Sequence, residues 1–134
     1  MIIFPLLVKP NNDIEKLHCK YYWGAPQKSN QAAFNSNRSN GKRKHAGRDL
    51  YTDPFTTIVA ICDGVVLEIT NNFVDGTGAI TILHEVKDGR RFIVRYGEVE
   101  NSHILVKKGQ SVEQGQELAK TGWLRTLYKK VVPG

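Results

Sequence analysis

The sequence predicts an all-β domain, an antiparallel sandwich or partly open barrel, and three observations carry that prediction. Apolar residues alternate at period two through several short segments. Asp-Gly pairs mark turns between those segments. A six-residue rhythm of valine and glycine follows them, and no stretch sustains a helical period beyond three turns.

The elements follow in order. Ile58 to Cys62 reads as a strand, Asp63-Gly64 as a turn, and Val65 to Thr70 as the next strand. Asp75-Gly76-Thr77-Gly78 interrupts the chain. Ala79 to His84 is a third strand, with Ile80 and Ile82 on one face and Thr81 and Leu83 on the other. After a turn at Lys87-Asp88-Gly89, Arg91 to Tyr96 is the fourth, with Phe92, Val94 and Tyr96 facing away from Arg91, Ile93 and Arg95. In Val106 to Leu118, each valine (Val106, Val112) is expected to lead a short strand and each glycine (Gly109, Gly115) to supply a tight turn.

The flanks carry weaker signals. Residues 1–44 read as an irregular N-terminal arm packed on a β-rich domain of residues 45–134. Tyr21, Tyr22, Trp23 and Phe34 serve as its apolar anchors, with a short helix near Asn12 to Lys20. Gly122 to Gly134 reads as a loop.

Composition narrows the function classes. With 40% hydrophobic residues in a 134-residue chain, a core forms without disulfides. The two cysteines, Cys19 and Cys62, form no CxxC motif, which excludes zinc-knuckle and thioredoxin chemistry. Cys62 lies in an apolar run and reads as a buried thiol; a Cys19–Cys62 disulfide is compatible with the sequence but not demanded by it. A net charge of +6 favours anionic partners or simply solvates the surface. No recognition motif supports nucleic acid as a partner. No window reads as a membrane span, and Met1 to Val8 lacks the basic start and cleavage site of a secretory signal.

One pair of residues points to metal chemistry. His45-Ala-Gly-Arg-Asp49 sets an imidazole four residues before a carboxylate, both suited to Zn²⁺. Gly47 allows the backbone to turn so that the two converge. A catalytic zinc needs about three protein ligands and an open position, so this pair alone is half a site.

The order of segments from residue 38 to 122 resembles the lysostaphin-type zinc endopeptidases, the LytM-like family that cuts peptides in bacterial peptidoglycan. The resemblance runs through Arg38 and His45-Ala-Gly-Arg-Asp49-Leu-Tyr51, then Ile58-Val-Ala-Ile-Cys-Asp-Gly64-Val-Val66 and Thr81-Ile-Leu-His84. It continues through Arg95-Tyr-Gly-Glu98, Val106-Lys-Lys-Gly109-Gln-Ser-Val112-Glu-Gln-Gly115-Gln116 and Thr121-Gly122. It implies a duplicated, hybrid-motif-like β scaffold of bacterial or phage origin, with His45 and Asp49 as zinc ligands. Glu98 takes the place of a catalytic histidine and becomes the candidate general base, a surface glutamate that solvates a strand end being the alternative. His84 resembles a histidine lining the cleft, a satisfied strand histidine being the alternative. Arg38, Arg43 and Arg48 could pair with substrate carboxylates, which Arg grips bidentately, the alternative being ordinary solvated charges; Tyr96 is a further candidate substrate-binding residue, and Asn35 or Asn37 could approach the metal.

The family's third ligand belongs to an HxH pair, and these 134 residues contain none. The expectation is therefore a zinc metallopeptidase domain that is C-terminally incomplete, inactive or dependent on a missing HxH strand, with zinc weak or absent. An unpaired sheet edge would then favour a homodimer or strand exchange. The alternative is a non-catalytic binding or regulatory module on the same scaffold, holding peptidoglycan peptide without cutting it. His18 and His103 read as incidental. A lipoyl- or biotinyl-type carrier shares the valine–glycine rhythm but needs a Met-Lys pair that is not found. With no leader, the protein is expected to be made in the cytoplasm and delivered to the periplasm or wall by a leaderless route, through a phage lysis system or a contact-dependent secretion machine.

Overall fold

The computed structural model describes residues 1–7, 50 and 52–123, with the backbone of 37–38 and 43–44. The helix expected near Asn12–Lys20, the anchors Tyr21, Tyr22, Trp23 and Phe34, and all of 124–134 lie outside the described residues. The chain divides into two compact units, Met1–Leu7 with Pro54–Gly134, and Val8–Asp53.

The second unit contains a small hairpin. β1 (Asn37–Arg38) pairs antiparallel with β2 (Arg43–Lys44), so a span read as irregular carries a short ladder ending one residue before His45.

Among the described residues the first unit holds two antiparallel sheets and no closed barrel, in keeping with an open sandwich. One sheet pairs β3 (Thr57–Val59) with β8 (Glu117–Lys120). The first residues of the chain extend it: Ile3 N–H donates to Ile61 O, Val59 N–H to Pro5 O and Leu7 N–H to Thr57 O. The other sheet has the order β6-β5-β4-β7, with β4 (Gly64–Thr70), β5 (Gly78–Glu85), β6 (Arg91–Val99) and β7 (Ser111–Val112). Among the described residues no helix is long and apolar enough to cross a membrane.

The turns follow from their residues. Asp75 (φ 45°) and Gly76 (φ 81°) both take positive φ, and Thr77 N–H donates back to Val74 O, the type I′ geometry that Asp-Gly favours. The β5–β6 turn closes through Gly89 (φ 89°) and an Asp88 carboxylate accepting the Arg90 N–H.

The alternation predicted for β5 and β6 holds. Ile80, Ile82 and His84 are buried, Thr81 and Leu83 half-buried, Ile93 and Arg95 exposed and Tyr96 buried. Val59, Val66, Ile80, Ile82, Val99 and Leu118 form the centre of the core.

Two boundaries differ from expectation. β3 ends at Val59 because the main chain of 60–62 bonds elsewhere: Ala60 to Gln116 and Gly115, Ile61 to Ile3, Gln114 and the Tyr96 hydroxyl, Cys62 to His84. β6 runs on to Val99 through a bulge, where Gly97 and Glu98 together face Ala79.

The six-residue rhythm is a structural repeat. Gly109 (φ 87°) donates to Val66 O and Gln110 O accepts from Val66 N–H; six residues on, Gly115 (φ 82°) donates to Ala60 O and Gln116 O accepts from Ala60 N–H. In each turn the glutamine side chain caps the amide three residues back, at Lys107 and at Glu113, both at 3.0 Å. Only the second valine enters a strand: Val112 lies in β7, whereas Val106 is buried ahead of its turn without joining a ladder.

Candidate functional site

β5 carries His84 and β6 carries Tyr96 and Glu98, and their environments differ sharply. His84 faces the core and is fully buried. Its Nδ1 lies 2.9 Å from Cys62 O and 3.2 Å from Asp63 O, and its Nε2 lies 2.8 Å from Tyr96 Oη. Carbonyl oxygens only accept, so Nδ1 carries the proton and Nε2 accepts from the phenol. Tyr96 Oη in turn accepts from Ile61 N–H at 3.1 Å. Every polar atom of the pair is engaged, and Phe92 packs beside the imidazole at a ring separation of 5.5 Å. His84 thus ties β5 to the 60–63 segment, in line with a satisfied strand histidine.

Tyr96 is buried as well. Burial is the chief reason its phenol is pushed up to about 12, with the bond from Ile61 N–H pulling the other way and Cys62 adding a small rise. Cys62 is a free, buried thiol, and Cys19 lies outside the described residues. Burial first, and Asp63 second, raise its pKa.

Glu98 is exposed and sits on the bulge with φ 55°, a left-handed conformation that side chains bearing a Cβ disfavour. The surrounding backbone enforces it. Gly122 N–H donates to Glu98 O at 2.7 Å, and Val99 bridges Thr121. A Cβ on Gly122 would stand 2.8 Å from Glu98 O and 2.9 Å from Thr77 Cγ2, so only glycine permits this approach. On the other side Phe73 covers Gly97, and the Arg95 guanidinium lies over the Phe73 ring at 5.9 Å. The Thr121-Gly122 pair singled out in the sequence is therefore the clamp that closes the Glu98 bulge.

His45, Arg48 and Asp49 lie outside the described residues, as do His18, Cys19 and Asn35. Arg38 and Asn37 are described as backbone in β1 only. His103 is exposed in a 3-10 turn, its Nδ1 3.1 Å from Ser102 Oγ and its ring 5.9 Å from Phe55. Among the described residues no three His, Cys, Asp or Glu side chains gather to hold a metal ion. The groups that fix His84 could not be read from sequence, because the Cys62 and Asp63 carbonyls and the Ile61 amide are main-chain atoms.

Comparison with known proteins gives one match. The model of peptidase family M23 covers residues 43–130, about two thirds of the chain, from just before His45 through the Glu98 bulge and the paired turns. No curated protein and no solved structure matches. With the segments in this order and the match spanning most of the chain, this protein belongs to peptidase family M23.

Proposed function

We propose that the chain is a zinc-dependent endopeptidase domain directed at the peptides of bacterial peptidoglycan. The observation that carries this reading is the family match beginning at residue 43, which takes in both His45 and Asp49. An imidazole and a carboxylate suit Zn²⁺, and these two residues would hold it. Bound there, the ion would supply Lewis-acid polarisation of a scissile carbonyl. Glu98, exposed at the end of β6, takes the proton from the attacking water. Arg38 and Arg48 grip substrate carboxylates in bidentate fashion. Tyr96 acts as a positioning residue, because its hydroxyl is already bonded to His84 and Ile61.

A second reading, a module that binds wall peptide without cutting it, draws support from the histidine set. Both nitrogens of His84 are committed within the fold. Two donors hold zinc weakly.

The full chain incubated with purified peptidoglycan and Zn²⁺ should release new peptide amino termini. Activity should vanish in His45→Ala and Glu98→Gln, and only His45→Ala should lose zinc. Equal zinc content in wild type and His45→Ala would remove His45 from the site. Sedimentation with peptidoglycan without new termini would select the binding module.

A further inference from the structure

We propose that Phe55 and His103 form a sugar-stacking subsite that takes an N-acetylhexosamine residue of the wall glycan. The proposal rests on the wall-directed reading for the source of the sugar, and on the two rings and their neighbours for the site.

Phe55 is held where a side chain is disfavoured. Pro54 and Phe55 occupy a turn, and Phe55 has φ 64°. Proline followed by a residue of positive φ matches a type II turn, whose third position suits glycine. A bulky residue there is an outlier. The main chain around it is fixed: Phe55 N–H donates to Thr121 O at 2.8 Å, Thr56 N–H to Thr121 Oγ1 at 2.9 Å and Thr121 N–H to Thr56 O at 2.8 Å. Glycine would make the same bonds without the steric cost, so what phenylalanine adds is its ring. That ring is 39% exposed and meets the His103 imidazole tilted at 50°, with centroids 5.9 Å apart.

His103 supplies a fixed hydrogen-bond acceptor. Ser102 Oγ lies 3.2 Å from Glu100 Oε1 and 3.1 Å from His103 Nδ1. A carboxylate only accepts, so the single hydroxyl proton goes to the buried Glu100. Oγ then accepts from Nδ1–H, which leaves the lone pair on Nε2. Among the described residues no hydrogen bond engages Nε2 of this exposed ring.

An apolar ring face beside one placed acceptor suits a neutral ligand. A pyranose offers both complements: a face of C–H groups for the phenyl ring, and a hydroxyl or acetamido N–H to donate to Nε2. Among the described residues no Lys or Arg bonds to Phe55, Ser102 or His103, so a phosphate finds no partner there. The position fits as well. Thr121 O accepts from Phe55 N–H on one side of the Thr121-Gly122 segment, and Gly122 N–H donates to Glu98 O on the other. Two strand spacings set Phe55 and Glu98 about 10 Å apart along the backbone, so one wall fragment can lie on the rings and reach Glu98.

Tri-N-acetylchitotriose, titrated into the full chain with and without zinc, should shift the NMR signals of the Phe55 and His103 rings alike in both. Cellotriose, which has no acetamido groups, should bind more weakly. Phe55→Gly keeps the turn and should weaken binding by about tenfold or more. Ser102→Ala should let the His103 proton distribute over both nitrogens in nitrogen NMR and weaken binding, and Ser102→Thr should restore both. A chain that binds the trisaccharide yet releases no peptide termini from peptidoglycan would keep this site and lose the endopeptidase reading. A chain that cleaves peptidoglycan while the trisaccharide leaves both rings unshifted would keep that reading and overturn this site. Undiminished affinity in Phe55→Gly, equal affinity for cellotriose, or displacement of the sugar from these rings by a thymidine oligonucleotide would overturn it too.

Discussion

The Tyr96 hydroxyl lies 2.8 Å from His84 Nε2 and is the only donor that nitrogen has among the described residues. Removing it leaves Nε2 and the Ile61 amide without their partner in a buried site. Tyr96→Phe should therefore cost about 1–3 kcal/mol of stability, read from urea unfolding midpoints. Nitrogen NMR of the wild type should report the proton of His84 on Nδ1; a proton on Nε2 would contradict the bonding pattern.

The same phenol sets an alkaline limit. Folded Tyr96 keeps its proton to about 12, whereas an unfolded tyrosine releases it near its ordinary 10.0. Between those values the folded state binds more protons, so stability is fully present below pH 10 and falls as pH rises toward 12. Tyr96→Phe, though less stable throughout, should show a shallower decline across that window in thermal melts.

Glu98 offers a test that separates strain from chemistry. Glycine accepts φ 55° without the penalty that a Cβ incurs. Glu98→Gly should hold or raise stability, by up to about 1 kcal/mol, while Glu98→Ala should not. If Glu98 is the general base, both lose peptide cleavage alike, and measured side by side the two readouts part company.

Among the described residues Gly64 is the glycine most crowded against backbone. A Cβ there would meet Leu83 O at 2.5 Å, Ile82 Cγ2 at 2.8 Å and His84 Nδ1 at 3.0 Å. Gly64→Ala should destabilise by about 1–3 kcal/mol and disturb the His84 ring, seen as a shift of its NMR signals. An unchanged spectrum would mean that the strand slides to make room.

The paired turns predict matched behaviour. Gln110→Ala and Gln116→Ala each remove one side-chain cap of the same length in the same geometry. Each should cost about 0.5–1.5 kcal/mol in urea titrations, and a large disparity would deny that the two turns are equivalent.

Much of this was legible in the sequence. The period-two pattern gave β5 and β6 their faces, because burial on one side leaves a strand no other register. The Val-Gly rhythm announced two turns, since Gly109 and Gly115 each supply a positive φ. What escaped reading is held by contacts distant along the chain. The early end of β3 depends on main-chain bonds to residues near 3 and 115, which leave no mark in local composition. His84 looked equally like a cleft residue or a core residue, and only its partners at 62, 63 and 96 decide its surroundings. Glu98 was visible as an unusual residue type, but its left-handed backbone depends on the glycine at 122.

The strip formed by residues 3–7 beside β3 has a consequence for synthesis. Those residues are synthesised some fifty positions ahead of their partners at 57–61, and β8 follows later still. Until Lys120 has emerged, Ile58 and Val59 lack one neighbour or the other. Nascent chains shorter than that should be the ones that recruit chaperones, and completed ones should release them.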